Sequence, residues 1–197
     1  MAANHMDMTC DIAIVGCGVA GLYAALTAPA SAKIVMLSKG ALDECDSMLA
    51  QGGICVLPEA GDYDSFFEDT LHAGHGENRR ESVDIMIRSS RAVINDLIAL
   101  GAEFEREEDG SLAFTREGAH ARARIAFHAD GTGKEITEAL LAAVKRLPNV
   151  RILEHVAMVD LLFDAHEAGG ADADGAPACT GVLALPVTAA SSTATIE

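Results

Sequence analysis

Basic residues are scarce in this sequence: 14 lysines and arginines stand against 30 acidic residues, a formal charge of −16. So acidic a chain repels nucleic acid and anionic membrane, which excludes a general role on either. Long apolar runs are also missing, and no stretch approaches the roughly 18–20 residues that a membrane helix needs. The five cysteines, Cys10, Cys17, Cys45, Cys55 and Cys179, are odd in number and contain no CxxC pair. Neither a disulfide framework nor a zinc site is indicated, and a reducing cytoplasm is the simplest compartment. The first nine residues lack the basic-then-apolar order of a secretory signal. They are read as an N-terminal extension, vector-derived in part, and are left out of the fold. There is no internal repeat.

What remains is a globular composition: 197 residues, 50% hydrophobic and 22% charged. That length suits one domain or slightly more, with a real core. Asp11–Val15 and Lys33–Leu37 are short apolar runs of the kind buried on both faces in a parallel sheet. Between them lie a glycine turn and a helix-forming stretch, Leu22–Ala28, which stops near Pro29. Residues 38–58 read as loop. Asp62–Ala73 reads as a helix, and Glu81–Leu100 as a longer one with Val83, Met86, Ile87, Ile94, Leu97 and Ile98 on one face. Glu103–Phe114 has a turn at Asp109-Gly110, the mark of a hairpin. Thr132 and Glu135 have capping-box spacing at the head of a helix running to Leu147. Val150–Leu153, Val156–Phe163 and Cys179–Val187 read as strands, and residues 165–177 as an exposed loop.

Gly16-Cys17-Gly18-Val19-Ala20-Gly21 is GxGxxG in the strand–turn–helix context that gives the pattern meaning. Gly16 allows the tight turn, Gly18 lets backbone approach a pyrophosphate, and Gly21 lets the helix pack on the strand. The helix N-terminus offers N–H groups and positive potential to phosphate. An acid is expected about 20 residues on, to bind a ribose. Ser38 and Lys39 stand there instead. A serine can still hydrogen-bond a ribose hydroxyl, and a lysine can reach phosphate.

Four segments in order resemble the succinate dehydrogenase/fumarate reductase flavoprotein family, and within it the L-aspartate oxidase branch. They are Asp11–Gly21, Val35–Gly40, Leu49–Ile54, and Thr115–His120 with Ala129–Gly133. The resemblance implies an α/β, Rossmann-like FAD-binding domain of the glutathione-reductase type, incomplete here. Residues 10–197 would be its N-terminal part, without the capping and C-terminal helical domains, and inactive alone. It implies that Ser38 and Lys39 suit FAD rather than NAD. It also implies that Asp46, Ser47, Met48, Leu49, Ala50, Gln51, Gly52 and Gly53 wrap the flavin side of the cofactor. Asp46 stands where covalent relatives carry histidine, so FAD is expected to be non-covalent.

The segment TREGAH, Thr115–His120, is similar to one whose glutamate lies beside the substrate. Glu117 is the matching residue. A carboxylate there pairs with the α-ammonium of aspartate and repels a plain dicarboxylate. Ala119 stands where the family usually has a glycine, and Ala121 where it has a serine. Arg116, Arg122 and Arg124 read as a charge-rich loop, and His120 and His128 as structural. The implied parent activity is oxidation of L-aspartate to iminoaspartate for quinolinate and NAD synthesis. Oxygen or fumarate would take the electrons, and quinolinate synthase is a candidate partner. The alternatives are a soluble fumarate reductase or succinate dehydrogenase flavoprotein, a non-catalytic dinucleotide-binding module, and a fragment with no ligand.

Overall fold

The computed structural model describes residues 7–163 and 177–187. In chain order its elements are β1 (Ile12–Val15), α1 (Val19–Thr27), β2 (Ile34–Leu37), α2 (Asp46–Leu49), β3 (Ile54–Cys55), α3 (Tyr63–Ala73) and α4 (Arg80–Ala99). They continue with β4 (Ile125–Ala126), α5 (Thr132–Val144), β5 (Val150–Leu153), β6 (Val156–Phe163) and β7 (Cys179–Pro186). The chain forms two compact units: one runs to Cys45 and resumes at Val144, and the other is Asp46–Ala143.

The first unit is built on a parallel sheet in the order β1-β2-β5. Ile34 of β2 pairs with Ile12 on one side and Val150 on the other. Parallel neighbours need a crossover, and α1 supplies it between β1 and β2. Leu22 and Ala25 form the buried face of α1. The helix ends at Ala28, which is extended as the residue before a proline prefers to be. β2 is the buried strand, with Ile34 and Met36 out of solvent. β1 departs from the expectation of burial on both faces: Ile12 and Ile14 are half-buried, whereas Ala13 and Val15 are exposed. The close approach of Gly21 to Ile14 puts α1 on the isoleucine side of the strand and leaves the other side open.

β6 and β7 form a separate antiparallel ribbon, with register shifts at Met158/Asp160 and Leu162/Phe163. Val159, Leu162 and Phe163 on one strand and Leu183 and Leu185 on the other are exposed. The stretch 165–177, expected to be an exposed loop, lies almost wholly outside the described residues.

The second unit packs α3 on α4. Phe66, Leu71, Val83 and Ile87 make its buried cluster, with Leu57, Tyr63 and Phe67 against it. α4 shows the expected stripe at Val83, Ile87, Ile94 and Leu97, but Met86 is 47% exposed and does not belong to it. Met86 is one position before Ile87, about 100° round the helix, and so falls off the stripe. Gly101, at φ +109°, closes the helix in the left-handed conformation that favours glycine. Residues 38–58 are not all loop: α2 is one helical turn, and β3 pairs with β4.

The turn at Asp109-Gly110 forms with a single bridge, Arg106 to Leu112. α5 starts at Thr132 as expected, but not through a capping box. The Thr132 hydroxyl accepts from the His128 N–H at 3.0 Å, and the Glu135 carboxylate accepts from the Glu103 N–H at 2.8 Å. Each side chain meets a more distant backbone donor instead of the other's. Among the described residues, no helix is long and apolar enough to cross a membrane.

Candidate functional site

In the first unit the backbone shapes the glycine turn. β1 runs into Gly16, whose N–H donates to Leu37 at 2.9 Å and whose φ is +106°. Space around the position of a Gly16 side chain is open. Gly18 is the N-cap of α1 and carries no capping side chain, and the first turn of the helix holds no acid. An added Cβ on Gly21 would overlap the Gly16 carbonyl oxygen, so this glycine sets how tightly the helix sits on the turn. The result is a rim without side chains, at the positive end of a nine-residue helix. It fits a pyrophosphate.

Cys17 is turned inward and buried, so contact from this residue would come from its backbone. Burial pushes its thiol up, Cys45 and Glu154 add to the rise, and a hydrogen bond with Ser38 opposes it. Ser38 is therefore buried and engaged with Cys17, while Lys39 is exposed. An acid does stand near the end of β2, but it belongs to the neighbouring strand's end. Ser38 N–H donates to Leu153 at the end of β5, and Glu154 follows directly, its carboxylate accepting from Leu42 N–H. Linear spacing along a βαβ unit cannot show a residue that strand pairing brings in from more than 110 positions away.

In the second unit, Asp46–Leu49 makes the turn α2, and Ala50, Gln51 and Gly52 are exposed after it. Leu49 is 72% exposed, an apolar side chain presented to solvent beside two glycines. The loop is fixed from behind by the head of α5. Gly133 N–H donates to the Ala50 carbonyl at 3.0 Å, and a Cβ on Gly133 would overlap both Ser47 and Ala50. The two loop glycines differ. A Cβ on Gly53 would strike Ile125 and Ala126 of β4, so this glycine serves the strand pair; one on Gly52 would stand 3.4 Å from Glu117 Oε2. The structure thus brings Glu117 to the Gln51-Gly52 loop.

The segment behind Glu117 holds what the sequence reading missed. Arg124 is not part of a solvated loop: it is fully buried. Its Nε and Nη2 donate to the two oxygens of Asp62 at 2.7 and 2.9 Å, and Nη1 donates to Asp69. Phe66 lies against the guanidinium plane, 4.9 Å from ring centre to Cζ. Burial alone would lower the guanidinium, but its bonds with Asp62 and Asp69 outweigh that and hold it above its ordinary value. Burial would likewise raise Asp69, and the Ala121 N–H with Arg124 holds it below the usual carboxylate range.

Asp62, at the N-cap of α3, makes no side-chain cap there and is a buried partner of Arg124. Arg122 reaches the same carboxylate at 3.4 Å, while Arg116 is exposed. His120 is structural as expected: Nδ1 faces Arg124, and Nε2 lies 3.3 Å from Cys55 Sγ. Burial pushes the Cys55 thiol up, Arg124 pulls against the rise and Glu117 adds to it. The only signal in the sequence was Asp62 and Asp69 at a seven-residue helical spacing, which puts both on one face.

The model of the family described as FAD binding domain matches residues 11–196. The chain is 47% identical over 166 residues to an L-aspartate oxidase of Clostridium perfringens, covering 84% of this chain and 38% of that protein. It is 43% identical over 168 residues to one of Clostridium acetobutylicum, covering 85% and 39%. It therefore spans less than half the length of these relatives. Among solved structures, a quinol fumarate reductase of Escherichia coli superposes with a TM-score of 0.75 at 29% identity, over 79% of this chain and 27% of that one. A flavocytochrome c3 fumarate reductase shares the fold at 21% identity, with a TM-score of 0.68 over 89% and 31%.

Proposed function

The chain belongs to the FAD binding domain family, and from that membership we propose that it is the FAD-binding segment of an L-aspartate oxidase. When bound, FAD supplies the two-electron acceptor for the Cα–H of L-aspartate and passes the electrons to oxygen or fumarate. The chain's own residues bind and orient. Gly16, Gly18 and Gly21, with the backbone of Cys17, Val19 and Ala20, hold the pyrophosphate at the head of α1. Ser38 and Lys39 lie toward the adenosine end. Asp46–Gly53 cover the flavin side, where the exposed Leu49 gains apolar contact and Gly52 leaves room. Asp46 cannot form the histidyl link, so the cofactor is released by denaturation. Yellow colour in the supernatant after acid precipitation is the expected result; colour kept in the pellet contradicts it.

The observation that supports the substrate is the position of Glu117 against Gly52. A carboxylate at the cofactor loop pairs with the α-ammonium of aspartate and repels a dicarboxylate that has no cation. In the full-length enzyme, Glu117→Gln should shift the ratio of kcat/KM values from aspartate toward fumarate by roughly ten- to a hundredfold. An equal fall in both activities would mean that Glu117 supports the fold instead. The likeness to a fumarate reductase flavoprotein favours a second reading, a dicarboxylate enzyme. It predicts fumarate reduction without aspartate oxidation in the wild type. The product would feed quinolinate and NAD synthesis, with quinolinate synthase as partner. Five free cysteines suit a reducing cytoplasm.

A further inference from the structure

An arginine has five N–H donors and no acceptor. In Arg124 all five are directed at partners: Nε and one Nη2 hydrogen at Asp62, the other Nη2 hydrogen at Ser65 Oγ, and the Nη1 pair at Asp69 and at His120 Nδ1, 3.1 Å away. The last contact decides the tautomer of His120. Nδ1 has to be the lone-pair nitrogen, so the ring proton is on Nε2, directed at Cys55 Sγ. With that proton in place, Nε2 cannot take one from the thiol. His120 and Cys55 are not a base–nucleophile pair.

The turn that carries Glu117 is closed by the backbone of His120, while the ring anchors that residue to Arg124. His120 N–H reaches back to the Glu117 carbonyl at 3.3 Å, and Ala119, between them, is left-handed at φ +69°. On the far side, Ala121 N–H donates at 2.7 Å to the Asp69 oxygen that also takes Arg124 Nη1. Asp62, Ser65, Phe66 and Asp69 all belong to α3 or its first approach, so the guanidinium ties this turn to a packed helix.

We propose that His120 is a positioning residue for the ammonium-reading carboxylate: Arg124 holds its ring through Nδ1, and the ring holds the 117–120 turn so that Glu117 stays against Gly52. The inference rests on the reading of Glu117 given above.

Two variants each keep one half of the imidazole. His120→Asn retains an acceptor where Nδ1 stands and drops the contact with Cys55. His120→Gln retains a donor where Nε2 stands and drops the contact with Arg124. In the flavin-loaded, full-length enzyme, H120N should keep the aspartate KM within about threefold, whereas H120Q should raise it about tenfold with kcat little changed. The KM for a dicarboxylate should stay put in H120N and fall in H120Q, where the repelling carboxylate is no longer held in place. Nitrogen NMR of the wild type should show His120 protonated at Nε2 and bare at Nδ1. Amide exchange at residues 118–121 should quicken in H120Q and not in H120N.

A proton on Nδ1, or equal behaviour of the two variants in amide exchange, overturns the proposal. If Glu117→Gln leaves substrate preference unchanged while tautomer and exchange come out as expected, the aspartate reading fails and the hold of His120 on the turn stands.

Discussion

The turn at Gly16–Gly21 and the turn at Glu117–His120 both present a polar edge, but they are kept rigid in different ways. The first depends on the absence of side chains: a left-handed Gly16, and a helix seated on its carbonyl through Gly21. The second depends on one side chain, a buried guanidinium with two carboxylates, one from α3 and one from the residue just before it. A backbone turn is set by local sterics and is indifferent to pH and salt. A buried ion cluster is set by long-range pairing. It is strong only while complete, because desolvation leaves any unmatched charge costly.

The sharpest way to break this contrast is Arg124→Met. It strands Asp62 and Asp69 without their cation and should cost about 3–5 kcal/mol in chemical denaturation. A loss under about 1 kcal/mol would mean that the cluster does not hold the second unit. Gly21→Ala tests the first unit. Its methyl would overlap the Gly16 carbonyl, for a cost of roughly 1–3 kcal/mol and a fall in FAD affinity of about tenfold or more by titration.

Acid separates the two further, with a smaller effect. Asp69 is held below its unfolded value, so its contribution is fully present above the ordinary aspartate pKa of about 3.9 and is lost as pH falls through the folded value. Amides near Ala121 should lose protection in that window, while those of Gly16–Gly21 keep theirs. The smallest expected effect is a gain. Ala119→Gly relieves a left-handed alanine and should stabilise the protein by about 0.5–1 kcal/mol, read as a raised midpoint of denaturation.

The same contrast explains what could be read beforehand. Gly16, Gly18 and Gly21 were legible because a backbone constraint names its residue directly, and strand, turn and helix followed in order. The stripe on α4 and the strands β5 to β7 were legible from periodicity. Arg124 was not, because its partners lie 55 and 62 positions away and nothing in an arginine-rich loop distinguishes the buried one. Glu154 was missed likewise, since β5 joins β2 only in three dimensions. The capping box failed on competition: Thr132 and Glu135 have the right spacing, but His128 and Glu103 offer donors that spacing does not reveal.

The ribbon of β6 and β7 also has a colloidal consequence. Apolar side chains exposed along two strands make a sticky surface, and strands pair readily with other strands at an open edge. What opposes association is the charge of −16, which makes molecules repel one another at a distance. That repulsion extends only over the Debye length, about 10 Å at 0.1 M salt and about 3 Å at 1 M. Raising the salt, or moving toward the isoelectric point near pH 4.7, leaves the ribbon unguarded. Light scattering should therefore rise with ionic strength while the fold of each unit is still intact.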